Sequence, residues 1–201
     1  MRTPDLNWIK DSRVFQVNRL QAYSDHIYTI GKDKKPSSFS LNGTWKFNLS
    51  KNYDSCFKFF YNTEFNDSNW NDIQVPGHIQ LQGFDNPHYT DVTYPWDGHD
   101  VVKPGQIDMG KNKVYQYRKT FDCPQDFIGN KLILSFEGAE SNIYVWLNGK
   151  FIGYAEDSFT PSRFDITKYT QEKDNVLCVR IFQKCTGTWL EDQDMWRFAF
   201  S

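Results

Sequence analysis

The clearest structural signal in the sequence is Ile143-Tyr-Val-Trp-Leu147-Asn148-Gly149-Lys-Phe151-Ile-Gly-Tyr154. Two apolar runs flank Asn148 and Gly149 in this stretch. Asn-Gly between such runs is the strongest short-range signal for a β-hairpin, because both residues tolerate the positive φ angles of a two-residue turn. The sequence therefore predicts one strand over 143–147, a second over 151–154 and a tight turn between them.

Strand signals lie on both sides of this hairpin. In 41–50, Trp45, Phe47 and Leu49 alternate with polar residues, which is the period of a half-buried strand. Further strands are predicted over 114–121, 131–136 and 176–182. Strands about every 10 to 15 residues, with turns between them and few helical patterns, predict an all-β protein. This pattern favours a β-sandwich or a jelly roll, preceded by an irregular N-terminal arm.

The stretches between the strands differ in character. Residues 53–64 are rich in aromatics, and both a short helix and an irregular segment are compatible with them. Residues 65–70 have turn chemistry, since their Asn and Asp side chains can hydrogen-bond the local backbone. Residues 76–112 contain so many prolines and glycines that no regular element is predicted there. Long ordered loops of this kind often carry function.

The chain divides into an arm and one domain. Residues 1–37 are polar and irregular, and they are predicted to form an N-terminal arm and linker. Residues 38–201 are predicted to form one β-sheet domain. We expect the arm to pack onto another surface, and a mobile arm is the alternative.

Composition excludes several classes of function. Lys and Arg number 23 and Asp and Glu 25, so no basic excess is available to bind nucleic acid or an anionic membrane. The longest apolar run is five residues, which is too short for a transmembrane helix, and the N-terminus has no signal-peptide core. We therefore expect a cytoplasmic protein whose four cysteines are reduced thiols.

Two aspartates near the end of the chain are the first candidates for chemistry. Asp192 and Asp194 are two residues apart, so they share one face of an extended chain. Such a pair can hold a hard cation or the hydroxyls of a sugar. The alternative is a solvated turn with an Asp–Arg ion pair.

A second candidate is a pair of carboxyl groups for glycoside cleavage, which requires a separation of roughly 5–9 Å. Glu156 and Glu191 are able to supply such a pair, although their spacing does not show that they converge. The alternative is that Asp157 and Ser158 stabilise a turn after the hairpin.

Metal and nucleotide motifs are missing. Residues 67–78 imitate a calcium loop, but Asp72 and His78 stand where that loop needs Gly and Glu. The histidines have no metal-ligand spacing, and the sequence contains no G-x-S-x-G and no phosphate-binding loop.

Seven segments form a recognisable set: 16–20 QVNRL, 40–47 SLNGTWKF, 75–84 VPGHIQLQGF, 87–98 PHYTDVTYPWDG, 144–149 YVWLNG, 153–161 GYAEDSFTP and 189–197 WLEDQDMWR. In this order they resemble the N-terminal part of bacterial β-galactosidases of glycoside hydrolase family 2, over about residues 14–197. One such segment is weak, whereas seven in order are specific. The TYPWDG and LEDQDMWR runs point to the β-galactosidase branch of the family.

The resemblance implies that residues 38–201 form an all-β, jelly-roll β-sandwich of the kind seen in galactose-binding domains, and that this domain binds sugar. In the family it stands beside a TIM barrel, which carries the two glutamates of a retaining mechanism. Asp194 would then ligate a monovalent cation, usually sodium, and reach the galactosyl 6-hydroxyl. Asp91 stands where the family often has Asn. An ionised Asp accepts hydrogen bonds but does not donate them, so this departure bears on Asp91 as the second substrate-binding residue. The edge of the site is expected to include Val92, Trp96, Asp192 and Trp196.

The resemblance also implies what the chain does not supply. Both catalytic glutamates belong to the barrel, so no catalytic residue is expected here and the chain alone is predicted to be inactive. The family pattern continues into a strand, whereas this sequence ends at Phe-Ala-Phe-Ser201, which predicts a truncated last strand. Magnesium is a further expected cofactor of the complete enzyme, with ligands outside this chain.

The resulting hypothesis is the sugar-binding domain of a β-galactosidase that hydrolyses terminal, non-reducing β-D-galactose residues. Expected partners are galactosides such as lactose, the remaining domains or a second chain, and further copies in a homo-oligomer. A stand-alone carbohydrate-binding module is one alternative, with Trp96 and Trp189 as its exposed aromatic platform. An inactive gene fragment is another.

Overall fold

The computed structural model describes residues 3–22, 38–86, 94, 96, 101–103 and 105–191. Within them, helical structure is confined to α1 (Thr188–Glu191) and two 3₁₀ helices at Leu6–Lys10 and Gln125–Phe127. The strands of the same residues are β1 (Gln16–Val17), β2 (Gly43–Ser50), β3 (Asn71–Val75), β4 (Val114–Phe121), β5 (Ile133–Phe136), β6 (Asn142–Leu147), β7 (Lys150–Glu156), β8 (Ser162–Asp165) and β9 (Asn175–Phe182). The prediction of an all-β jelly-roll sandwich is confirmed.

Seven of these strands form one sheet in the order β1-β7-β6-β9-β4-β2-β3, while β5 and β8 form a second, two-stranded sheet. All neighbouring pairs are antiparallel. The strands predicted from the sequence correspond to β2, β4, β5, β6, β7 and β9, with ends that differ by at most two residues.

Three strands are not predicted by their own patterns. Strand β1 has only two residues, and β3 and β8 are short and rich in polar residues. Strand β1 pairs with β7, which is distant in the sequence. Strands β3 and β8 pair with the more apolar strands β2 and β5. Tertiary pairing therefore decides their conformation, which local propensity does not.

Strand β6 is buried on both faces. Ile143, Val145 and Leu147 point into the core between the large sheet and the β5–β8 pair. Tyr144 and Trp146 point into a second core on the opposite face. A strand covered on both sides has no polar face, which explains why this part of the sequence is a continuous apolar run.

The predicted hairpin turn joins β6 to β7. Asn148 has φ 51° and Gly149 has φ 75°, the two positive angles that a type I′ turn requires. The Asn148 side chain also reaches β9, where its Oδ1 accepts the amide of Val176 at 2.8 Å and its Nδ2 donates to Asn175 Oδ1 at 2.9 Å. Asn148 thus fixes both the turn and the neighbouring strand.

The described part of the N-terminal arm packs on the domain's own sheet. Ile9 is fully buried, and the Trp8 ring lies 5.5 Å from the Tyr154 ring. Strand β1 adds to the sheet edge, with Val17 opposite Tyr154. The predicted boundary at residue 37 falls outside the described residues and stays a prediction.

The aromatic segment at 53–64 is a succession of turns, so the irregular alternative holds. A buried guanidinium from β4 ties it to the second core. Arg118 donates through Nη1 to the carbonyls of Phe60 and, at 3.1 Å, Asn62, and its Nε lies 2.8 Å from the Asp67 carboxylate. An irregular segment has carbonyls without strand partners, and Arg118 supplies the missing donors.

Two further polar side chains, Gln116 and Arg180, also donate to carbonyls of this segment. Gln116 Nε2 donates to the carbonyl of Phe57 at 2.7 Å, and Arg180 Nη2 donates to that of Lys58 at 3.1 Å. The Arg180 guanidinium also lies 4.9 Å from the centroid of the Phe60 ring. A buried cation above an aromatic face regains part of its lost hydration energy.

All four cysteines are free, and Cys56, Cys178 and Cys185 are buried. In the described residues, no helix is both long and apolar enough to cross a membrane.

We expect Arg118→Met to destabilise the fold by about 3 kcal/mol. The change removes a buried cation, so the partly buried Asp67 carboxylate and the carbonyls of Phe60 and Asn62 lose their donor. Chemical denaturation followed by fluorescence measures this loss. Lys46→Met is the matched control, since Lys46 forms its 2.8 Å ion pair with Asp72 at the surface and should lose less than about 1 kcal/mol. Equal losses in the two variants would contradict this account of Arg118.

We also expect Gly153→Ala to destabilise the fold by about 1–3 kcal/mol through overpacking. A Cβ at Gly153 would stand 2.5 Å from Phe164 Cε1 and 2.7 Å from the Val17 carbonyl, so it would push against β8 and β1 together. Gly138→Ala, with its nearest contact at 3.4 Å, is the control that should change the unfolding midpoint little. An unchanged midpoint for Gly153→Ala would refute the close packing.

Candidate functional site

The polypeptide that leads into Asp192 and Asp194 is attached to the end of β7. Glu156, the last residue of β7, is only 6% exposed. Its Oε2 accepts the amide of Gly187 at 3.1 Å and the hydroxyl of Thr186 at 3.1 Å. The Tyr154 hydroxyl donates to Oε1. One buried carboxylate therefore binds both Thr186 and Gly187, the two residues that precede α1.

A second attachment lies at the other end of α1. The amide and hydroxyl of Ser158 donate to the Glu191 carboxylate at 2.9 and 2.7 Å. Glu156 and Glu191 thus both accept hydrogen bonds that fasten α1 to the chain after β7. This arrangement does not support the interpretation of the two glutamates as a catalytic acid and nucleophile.

The turn between β7 and β8 is stabilised as the alternative interpretation predicts. Asp157 has φ 94°, and its Oδ1 accepts the amides of Phe159 and Thr160 at 3.0 and 3.1 Å. Burial by itself would raise the pKa of Asp157, but the hydrogen bonds from Thr160 and Phe159 outweigh it and lower that pKa. The carboxylate therefore stays ionised and holds the turn.

Arg19 connects the N-terminal arm to this turn. Its Nη2 donates to Thr160 Oγ1 at 2.7 Å and lies 3.7 Å from Asp157 Oδ2, and its Nη1 donates to the carbonyl of Glu156 at 3.2 Å. Arg19 belongs to QVNRL, one of the seven segments that carry the family resemblance, and the resemblance gave this segment no role. Its role in the structure is to brace the end of β7.

The environment of Glu156 raises the pKa of its carboxyl group. Burial is the largest cause, because it disfavours the charged form, while the hydrogen bonds from Tyr154, Thr186 and Gly187 act in the opposite direction. A raised pKa alone does not make Glu156 a proton donor to a substrate, since its oxygens are occupied by three groups of the same domain.

Three aromatic rings cluster at α1, and one of them, Trp189, belongs to this helix. The Trp96 and Trp189 centroids are 4.3 Å apart, and Tyr94 lies 4.7 Å from Trp189. Lys184 Nζ stands 4.9 Å from the centroid of the Trp96 ring. Trp96 is only 3% exposed, so its assignment to an exposed sugar-stacking platform is wrong. Its neighbours bury it because the rings pack on one another.

Of the residues that the family resemblance assigns to the galactoside site, Trp96 alone lies among the described residues. Asp91, Val92, Asp192, Asp194 and Trp196 lie outside the described residues, so their roles stay predictions. Among the described residues, no group of three or more His, Cys, Asp and Glu side chains is placed to hold a metal ion.

Sequence reasoning missed the residues that hold α1 in place. Glu156 and Glu191 were considered for catalysis, while Thr186 and Gly187 carried no signal. The acidic residues around 156 and 191 were the only sequence signal in this region. Their spacing does not distinguish a carboxylate that fixes the backbone from a catalytic acid.

The fold is shared with solved carbohydrate-active enzymes. The Bifidobacterium dentium β-glucuronidase complexed with coumarin-3-O-glucuronide matches 71% of this chain and 19% of its own, with a TM-score of 0.51 and 21% identity. The Faecalibacterium prausnitzii β-glucuronidase matches 73% of this chain and 22% of its own, with a TM-score of 0.51 and 22% identity. At this identity, the likeness extends to the fold alone.

The family is defined by sequence. Residues 39–200 match the model of the glycosyl hydrolases family 2 sugar binding domain, and the chain belongs to that family. It is 50% identical to a β-galactosidase of Halalkalibacterium halodurans over 97% of its length, which is 20% of that protein. It is 44% identical to the β-galactosidase large subunit of Leuconostoc lactis, again over 97% of its length and 34% of that subunit. The chain therefore spans about a fifth to a third of these curated relatives.

The raised pKa of Glu156 predicts a pH dependence of stability. The folded state holds the Glu156 proton more tightly than the unfolded chain, so stability from this group is highest below its ordinary pKa of 4.5 and falls as the pH rises toward the folded value. Glu156→Gln cannot ionise, so its free energy of unfolding should gain on the wild type between pH 4.5 and neutrality.

Urea titrations at several pH values measure this difference. Glu172→Gln makes the same chemical change at an exposed position and is the matched control. If the Glu156→Gln curve runs parallel to that of the wild type, the buried carboxyl does not titrate as described.

Proposed function

We propose that the chain is the sugar-binding domain of a β-galactosidase that hydrolyses terminal, non-reducing β-D-galactose residues with retention. The observation that carries this proposal is 50% identity to one β-galactosidase and 44% to another over nearly the whole chain. Identity to the β-glucuronidases is 21–22% over a smaller part of it. The acid/base and nucleophilic glutamates are supplied by polypeptide outside these 201 residues.

The proposed roles within the chain are binding roles. Asp194 ligates a sodium ion and reaches the galactosyl 6-hydroxyl, since a carboxylate oxygen is the kind of ligand that hard cations take. Asp91 contacts the sugar from the loop region, and the site edge includes Val92, Trp96, Asp192 and Trp196. A buried Trp96 shapes this edge by packing against Trp189.

The proposed setting is a cytoplasmic enzyme with galactosides such as lactose as substrates. The remaining domains, in the same chain or in a second subunit, complete the site, and further copies form a homo-oligomer. Magnesium, if it is used, takes its ligands outside this chain. The rival proposal of a stand-alone binding module loses one of its two platform residues, because Trp96 is buried.

A chimera tests the proposal. The matching part of the H. halodurans β-galactosidase is replaced by this chain, which is 50% identical to it. We expect the purified chimera to hydrolyse a chromogenic β-galactoside and to be activated by sodium, whereas the 201-residue chain alone should be inactive. A folded chimera without activity, or activity in the isolated chain, would refute the proposal.

Within this chimera, Asp194→Ala should abolish sodium activation and raise KM at least tenfold, about 1.4 kcal/mol or more of lost binding. Asp126→Ala is the control, since Asp126 lies at the surface in a 3₁₀ helix between β4 and β5. Steady-state kinetics at several sodium concentrations distinguish the two. If Asp194→Ala keeps its sodium response, the cation has another ligand set.

A further inference from the structure

Four residues close a ring of contacts around α1. Glu156 accepts the amide of Gly187 at the start of the segment. The carbonyl of Gly187 accepts the amide of Glu191 at 3.0 Å, and the Glu191 carboxylate accepts two hydrogen bonds from Ser158. Ser158 is two residues from Glu156, so the ring is complete. We call these four residues the anchor ring.

The residues around Gly187, at the start of α1, are closely packed. A Cβ at Gly187 would lie 3.3 Å from Glu156 Oε2 and 3.4 Å from Cys185 Sγ. The amide of Cys185 donates to Thr188 Oγ1 at 3.0 Å, and that hydroxyl lies 3.2 Å from Ser141 Oγ. The start of α1 therefore has little room to shift without breaking several buried hydrogen bonds.

The groups around Glu156 suit an acceptor. Three donors point at its carboxylate: the amide of Gly187 and the hydroxyls of Thr186 and Tyr154. Gln at this position keeps one carbonyl oxygen for the amide of Gly187 and can donate to a hydroxyl that rotates. Leu, of similar size, leaves the buried amide without a partner.

We propose that Glu156 and Glu191 are positioning residues of the galactoside site: the anchor ring sets the course by which the chain enters Asp192 and Asp194. This inference rests on the function proposed above for Asp194. Its basis is that both ends of α1 are fixed to the end of β7, and that Asp194 is the third residue after Glu191. Side chains that orient a ligand residue are commonly worth a tenfold or larger effect.

The test compares Glu156→Leu with Glu156→Gln in the chimera. We expect Glu156→Leu to raise both KM for the galactoside and the sodium concentration for half-maximal activation by about tenfold. Glu156→Gln should keep both within about threefold of the parent. A merely structural role lowers the amount of folded enzyme, which reduces the apparent kcat and leaves KM and the sodium response unchanged. That pattern would overturn the proposal.

A second variant guards against loss of folding. Glu191→Leu removes the outer contact of the anchor ring, where Glu191 is partly exposed, and should shift KM and the sodium response in the same direction. Glu172→Leu is the matched control at the surface and should leave both parameters at the parent values. Unchanged parameters in folded Glu191→Leu would also refute the proposal.

Hydrogen exchange on the 201-residue chain separates this inference from the proposed function. If the parent chimera is inactive, the function fails, and the anchor ring is tested by the exchange of amides 187–191. Faster exchange confined to these amides in Glu156→Leu, and absent in Glu156→Gln, supports the ring as a local anchor. Unchanged exchange in Glu156→Leu overturns it.

Discussion

The architecture depends on one constraint: the large sheet is apolar on both faces at its centre. Strand β6 places Ile143, Val145 and Leu147 on one side and Tyr144 and Trp146 on the other. Neither side can face water without losing the stabilisation that burial gives, about 25 cal/mol for each Å² of apolar surface. The β5–β8 pair covers the first side. The arm and the irregular segment after β2 cover the second.

An irregular cover brings its own requirement. Carbonyls in turns have no ladder partners, and burying them unpaired costs about 1–3 kcal/mol each. The sheet itself supplies the donors: Gln116 and Arg118 in β4 and Arg180 in β9 donate to carbonyls of the irregular segment. The same reasoning explains why Arg118 is tolerated beside Cys178, 3.3 Å away, in a buried place. Apart from this contact with Cys178 Sγ, its side-chain hydrogen bonds go to residues 60–67 of the cover.

How much of this could be predicted from sequence depends on where the information lies. The Asn148-Gly149 turn and the apolar runs around it are local signals, and they correspond to β6 and β7. Strand β3 carries Asp72 and Gln74, and its conformation comes from pairing with β2, which no local pattern contains. Glu156 and Glu191 could be identified as important acids, but their role as anchors follows only from seeing Gly187 and Ser158 against them.

Strand β7 joins the constraint on the core to the candidate site. Its middle is so closely covered that Gly153 has no room for a side chain between Phe164 and Val17. A strand clamped in this way cannot slide, so its last residue, Glu156, has a fixed position. The buried Glu156 carboxylate then fixes Gly187 by accepting its amide, and Arg19 of the arm donates to the carbonyl of Glu156 at the same strand end. The fixed position of residues 187–191, which precede Asp192 and Asp194, therefore originates in the packing of both faces of the sheet.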